Sequence, residues 1–120
     1  MEKLTNKEEE IMRILWKLKQ AFVKEIVAEL PNPKPHYNTL SSLVRILEDK
    51  GYVGHKAYGN THEYFPLISK EEYQREFMSK IVDSYFGKSY KNVVSFFAKE
   101  EKISVDELRE IIRIIESNQK

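Results

Sequence analysis

Apolar residues recur along this chain with two different periods, and the change of period divides it into elements. Ile11, Ile14, Leu15 and Leu18 fall on one helical face, which Met12 and Trp16 widen. Thr5 and Glu8 precede that face in the T-x-x-E spacing of a capping box, so a helix is expected to open there, with Trp16 in the core. Val23, Ile26, Val27 and Leu30 repeat the spacing and predict a second helix over Phe22–Leu30. The run PNPKP at Pro31–Pro35 stops it, because proline lacks an amide donor and holds the residue before it extended. Leu40, Leu43, Val44 and Leu47 then mark the buried side of a third helix over about Tyr37–Lys50, ended by Gly51. Tyr52–Tyr58 and Thr61–Leu67 read as strands, and Gly59-Asn60 between them suits a tight hairpin.

Three helices and a hairpin in fewer than 70 residues is the plan of a winged helix-turn-helix. After Ser69 the pattern is helical throughout. Lys70–Phe86 carries Tyr73, Phe77, Ile81 and Tyr85 near one stripe, and Gly87 breaks it. Ser89–Lys99 carries Tyr90, Val93, Val94 and Phe97, and a second capping box at Ser104–Glu107 opens a last helix with Leu108, Ile111, Ile112 and Ile115 in register. The expected fold is mainly α, with a winged-helix domain over residues 1–68 and a helical region over 69–120. A unit of that second size struggles to build its own core. Its surplus of Tyr85, Phe86, Val94, Phe97, Leu108, Ile111, Ile112 and Ile115 is therefore expected to be buried against a second copy of the chain. Packing back on the first domain is the alternative.

Composition narrows the function. The 120 residues include no cysteine, which removes disulfides, thiolate metal sites and thiol catalysis. No apolar run reaches the roughly 18 residues a membrane span needs, and MEKLTNKEEE has no apolar signal core. A cytoplasmic location without membrane binding is the expectation. Twenty Lys and Arg against nineteen Asp and Glu leave a net charge of +1, which is not that of a bulk polyanion binder. Distribution matters more than the sum. From Pro31 to His62 four basic residues (Lys34, Arg45, Lys50, Lys56) stand against two acids (Glu48, Asp49), together with all three histidines.

The third helix carries the candidate chemistry. Opposite its apolar stripe lie Asn38, Ser42 and Arg45 at i, i+4, i+7, with Ser41 beside them and Thr39 on the flank. Asn pairs bidentately with adenine and Arg with guanine, while Ser and Thr serve base or phosphate. These five are the expected base contacts. His36 and Tyr37 at the helix entry, with Lys56, Tyr58, Asn60, Thr61 and His62 on the hairpin, are the expected backbone contacts. The competing reading of the face is a solvated surface that touches nothing.

At these residues the chain resembles the penicillinase-repressor (BlaI/MecI/CopY) family over nearly its whole length. The marks are the opening LTNKEEEIMRILW, NTLSSLVRILEDKGYV in the third helix, YGNTHEYFPL in the hairpin and FFAKEEKISVDELREI in the tail. The resemblance implies dimeric repressors on palindromic operators, often with a TACA/TGTA core. The helix matching Asn38–Arg45 would contact bases and the wing near Tyr58–His62 the backbone. It also implies release through a membrane sensor protease pathway that leads to cleavage in the C-terminal region. The family's Asn-Phe scissile pair falls on Phe96-Phe97, where the phenylalanine is kept and the asparagine is not. The cysteine pairs of copper-responsive members are missing, so no metal or other cofactor is expected.

Other classes of function fit less well. No Gly-rich phosphate loop, HExxH or nucleophile elbow is present, so an enzyme is not expected. His55, His62 and Glu63 could be imagined as metal ligands, but a metal needs three or four that converge. A protein-binding winged helix should expose large apolar residues on the third helix, where this one offers Asn38, Ser41, Ser42 and Arg45. A DNA-binding regulator controlled by a small ligand would need a pocket, for which Tyr73, Phe77, Tyr85 and Phe86 are the aromatic candidates.

Overall fold

Each helix begins where its flanking residues satisfy the open amides of a first turn. A computed structural model describes residues 1–119. In α1 (Asn6–Leu18) the Thr5 hydroxyl accepts the Glu8 N–H at 3.2 Å and the Glu8 carboxylate accepts the Thr5 N–H at 2.8 Å, the reciprocal pair of a capping box. A two-residue strand, β1 (Ala21–Phe22), separates α1 from α2 (Val23–Glu29). Glu25 accepts the Phe22 N–H at 2.9 Å at the start of α2. The proline-rich turn leads to α3 (Tyr37–Asp49), followed by β2 (Val53–Tyr58) and β3 (Thr61–Pro66). Then come α4 (Lys70–Tyr85), α5 (Tyr90–Lys99) and α6 (Val105–Asn118).

The hairpin closes on Gly59, whose positive φ of 62° fits the glycine-first pattern of a two-residue turn. Tyr58 pairs with Thr61, and the Thr61 hydroxyl donates to the Tyr58 carbonyl at 2.9 Å. The sheet has the order β1-β3-β2 and is antiparallel throughout. The β1 strand was not expected from the sequence. Two residues carry no periodicity, and Ala21 and Phe22 become a strand only by pairing with Tyr64 and Glu63 of β3.

The described chain separates into two compact units, Met1–Glu76 and Phe77 onward, so the first turns of α4 belong with the elements before them. In the first unit Ile11, Met12, Leu15, Ile26, Leu40, Val44, Leu47 and Tyr52 are buried in one cluster. Full burial stabilises such side chains by roughly 1.5–3 kcal/mol each, so Leu40, Val44 and Leu47 fix which side of α3 faces out. Trp16 packs on the edge of this cluster. Its indole N–H donates to the Ile68 carbonyl at 2.9 Å and its ring lies 5.6 Å from that of Tyr73. The Tyr73 hydroxyl donates to Glu9, which ties the start of α4 to α1.

In the second unit the helices are well capped and sparsely buried. Ser89 caps α5 by accepting the Asn92 N–H at 3.1 Å, and Ser104 with Glu107 forms the capping box of α6. Gly87 and Lys88 turn the chain with φ of 57° and 64°. Phe86 packs edge-on to Phe96, with centroids 5.6 Å apart. Among the described residues of this unit Val82 is the one fully buried side chain. The four aromatic candidates for a ligand pocket are divided between the units, Tyr73 in the first and Phe77, Tyr85 and Phe86 in the second. Tyr73 is taken up against Trp16 and Tyr52, Phe86 against Phe96, and Tyr85 is 80% exposed.

Candidate nucleic-acid interface

The outward face of α3 follows from its inward one. With Leu40, Val44 and Leu47 buried, Tyr37, Asn38, Thr39, Ser42 and Arg45 stand exposed and Ser41 is half-buried. The entry of the helix is held by His36, whose Nδ1 accepts the Asn38 N–H at 3.1 Å. His36 therefore caps α3, and that acceptor role needs an unprotonated Nδ1. The Ser42 hydroxyl donates to the Asn38 carbonyl at 3.0 Å, so its proton is engaged and it faces a ligand as an acceptor.

The helix and the hairpin share one open groove of about 620 Å³. Tyr37, Asn38, Ser41 and Arg45 line it from α3, and Asn60, Thr61, His62 and Tyr64 line it from the hairpin. The start of α2 supplies Phe22, Val23, Lys24 and Glu25. Thr39 is not in this groove. It borders a separate cleft of about 440 Å³ with the proline turn and Leu43, on the other flank of α3. Burial and the charge of Glu48 push the Tyr64 hydroxyl above the usual phenol range, while Arg45 opposes them; Tyr64 stays a neutral donor.

The expected hairpin contacts divide between the two faces of the sheet. Side chains alternate along a strand and cross-strand partners share a face. Tyr58 and Thr61 are partners, as are Lys56 and Glu63, and these four lie on one face. There the Lys56 ammonium sits 5.4 Å above the Tyr58 ring, and Phe22 meets Tyr58 edge-on at 5.8 Å. His62 lies on the other face with His55 and Tyr64. Asn60 stands at the tip.

Two of the four basic residues counted near this surface have structural work. The Lys34 ammonium donates to the carbonyls of Ala28 at 3.0 Å and Leu30 at 2.6 Å and so closes the end of α2. Lys50 lies 2.9 Å from Glu8 Oε1 and 3.2 Å from Oε2. Arg45 and Lys56 remain of the four, joined by Lys24, which the sequence reading missed. Ile46, 42% exposed beside Thr39 and Ser42, was also missed. It is an apolar residue of the kind that contacts a thymine methyl. Its one sequence signal was its place off the buried stripe.

The hairpin histidines are not arranged as metal ligands. His55 and His62 stack with centroids 4.1 Å apart and planes 9° from parallel. A metal ion lies near the plane of each ligating ring at about 2.0–2.1 Å, and two stacked rings cannot both meet that condition. Among the described residues no group of three or more His, Asp or Glu is placed to hold a metal ion. No helix among them is long and apolar enough to cross a membrane.

The residues expected to meet a second copy lie mainly on the surface of their unit. Tyr85, Val94, Phe97, Ile111, Ile112 and Ile115 are exposed, while Phe86 and Leu108 are half-buried. The Phe96-Phe97 bond lies inside α5, with both rings about half exposed and in edge-to-face contact.

Known proteins of similar sequence and fold place this geometry. The chain resembles the solution structure of the DNA-binding domain of the repressor BlaI, with a TM-score of 0.52 and 26% identity over 61% of this chain and 94% of that one. This agrees with the winged-helix plan. The methicillin resistance regulatory protein MecI of Staphylococcus aureus (strain N315) is 23% identical over 113 residues, 93% of this chain and 92% of MecI. The penicillinase repressor of Bacillus licheniformis is 22% identical over 120 residues, 96% of this chain and 91% of that protein. Residues 4–117 match the model of the penicillinase repressor family, and the chain belongs to that family of transcriptional repressors, which are not enzymes.

Proposed function

We propose that this chain is a homodimeric repressor that reads a palindromic operator in double-stranded DNA. The observation that carries the reading is the shared groove: the exposed polar side of α3 and the hairpin open onto the same space. In this reading α3 enters the major groove, Asn38, Ser41, Ser42 and Arg45 meet base edges, and Thr39 and Ile46 meet the flanking step. His36, Tyr37, Lys56, Tyr58, Asn60, Thr61 and His62 meet the sugar-phosphate backbone. The exposed apolar residues of the second unit support pairing with a second copy, which sets two reading helices on two half-sites. The work is done in the cytoplasm, where the operator is.

Release in this reading follows the family pattern, through a sensor protease pathway, with Phe96-Phe97 as the candidate bond although Phe96 stands where the family's scissile pair has asparagine. Because that bond lies within α5, the helix must open locally before a protease can hold it as an extended strand.

Selection from a random duplex library at two salt concentrations tests the reading. Enrichment of a palindrome with half-sites about one helical turn apart, or a multiple of it, is expected. Binding without a motif that vanishes as salt rises would be counterion-driven contact only, and would leave a protein-binding module as the better account. On the selected operator Arg45→Ala is expected to weaken binding by about 1–3 kcal/mol, the value of one bidentate guanine contact. Unchanged affinity would remove Arg45 from the readout.

A further inference from the structure

Glu48, His55 and His62 form a chain of contacts that neither packing nor the base-reading face explains. Glu48 is near the end of α3, His55 is on β2 and His62 is on β3. The His55 Nδ1 lies 2.5 Å from Glu48 Oε2. The His55 ring stacks on that of His62, and the Tyr64 ring borders both at 5.6 Å and 6.1 Å. His62 in turn lines the groove with Asn38, Ser41 and Arg45.

We propose that Glu48 and His55 are positioning residues that hold the His62 imidazole at the groove, where it meets an operator phosphate as an imidazolium. The proposal rests on the DNA-binding reading. A carboxylate bonded to one ring nitrogen of a histidine sets both the tautomer and the orientation of the ring. Here Glu48 fixes His55, and the fixed ring is the platform on which His62 lies flat. The stack also limits its charge, because two imidazolium rings in face contact repel. The carboxylate of Glu48 compensates for one added proton on the pair. A phosphate that arrives at His62 favours the charged form of that ring, and the proton comes from solvent.

The charged and titratable groups around the pair are few. From α3 they are Glu48, Arg45 and Tyr37; from β3, Tyr64; and from the start of α2, Lys24 and Glu25 at the groove. Two acids and two bases offset one another, so the approaching phosphate decides the charge of His62. The sign follows. Protonation on binding strengthens the complex as pH falls through the histidine range, and that gain is lost as pH rises above it.

The test uses the full chain and its selected operator at fixed ionic strength, with Kd read at pH 6 and pH 8. Wild type is expected to bind roughly fivefold to tenfold tighter at pH 6, within the tenfold-per-unit ceiling for one linked proton. His62→Gln is expected to remove that dependence. Glu48→Gln, which keeps an acceptor and loses the charge, is expected to flatten it. A His62→Gln protein with the wild-type slope would overturn the proposal. Calorimetry of wild type in two buffers of different ionisation enthalpy counts the protons taken up, and needs no variant to fold. No uptake would also overturn it. Sequence-specific binding with a flat pH profile sinks this inference alone, whereas no sequence-specific binding at any pH sinks the DNA-binding reading.

Discussion

Lys50→Ala is expected to destabilise the first unit by about 3 kcal/mol, in the range for breaking a buried ion pair by removing one partner. The Glu8 side chain is only 3% exposed and that of Lys50 is 20% exposed. Lys50 bonds both Glu8 oxygens and the Lys3 carbonyl, at 3.2 Å for the last, and so joins the end of α3 to the start of α1. Without it the buried carboxylate keeps the hydrogen bond it accepts from the Thr5 N–H. Burial by itself would raise the Glu8 carboxyl, but the Thr5 amide and Lys50 outweigh it and hold the group below the ordinary range. A depressed carboxyl contributes stability above its unfolded value, near 4.5, and loses it as pH falls through the folded value. Wild type should therefore lose this contribution in acid, and Lys50→Ala should show a flatter acid limb. Trp16 is the single tryptophan and packs against the first core, so its fluorescence in a denaturant titration reports this unit. A loss under about 1 kcal/mol would show that the pair is replaceable by water.

If the chain pairs as proposed, Ile112→Glu with Ile115→Glu is expected to leave it a monomer and to weaken operator binding by about 100-fold or more, the scale of avidity lost when two linked sites are separated. The second unit leaves Ile112 and Ile115 54% and 51% exposed on α6, and α6 has no buried residue of its own. Exposed apolar surface of that extent marks an interaction face. The changes touch little inside the unit, so helix content by circular dichroism should hold while sedimentation reports half the mass. A double variant that still sediments as a dimer would move the interface elsewhere.

The two forms of expected result differ in how far the residues alone could have led to them. The α6 surface was legible, because Leu108, Ile111, Ile112 and Ile115 follow a helical period in a segment too small to bury them. The Glu8–Lys50 pair was not, because its members lie forty-two positions apart. Spacing alone makes Thr5 and Glu8 a cap and nothing more. It likewise leaves Lys50 as one more cation near α3, as it does Lys34, which closes α2.

By itself the sequence determined the helices, the capping boxes at Thr5 and Ser104, the hairpin turn and the polar side of α3. Each of these depends on residues within about one turn of helix or one tight turn of strand, where spacing and side-chain chemistry decide the outcome. Only the tertiary structure decided that Ala21 and Phe22 form a strand and that Thr39 leaves the groove that Asn38 and Arg45 share. It alone brought Glu48, His55 and His62 into one file beside that groove. Those outcomes depend on which distant backbone comes alongside, and that is set when the buried faces of α1, α2, α3 and the sheet close on one core.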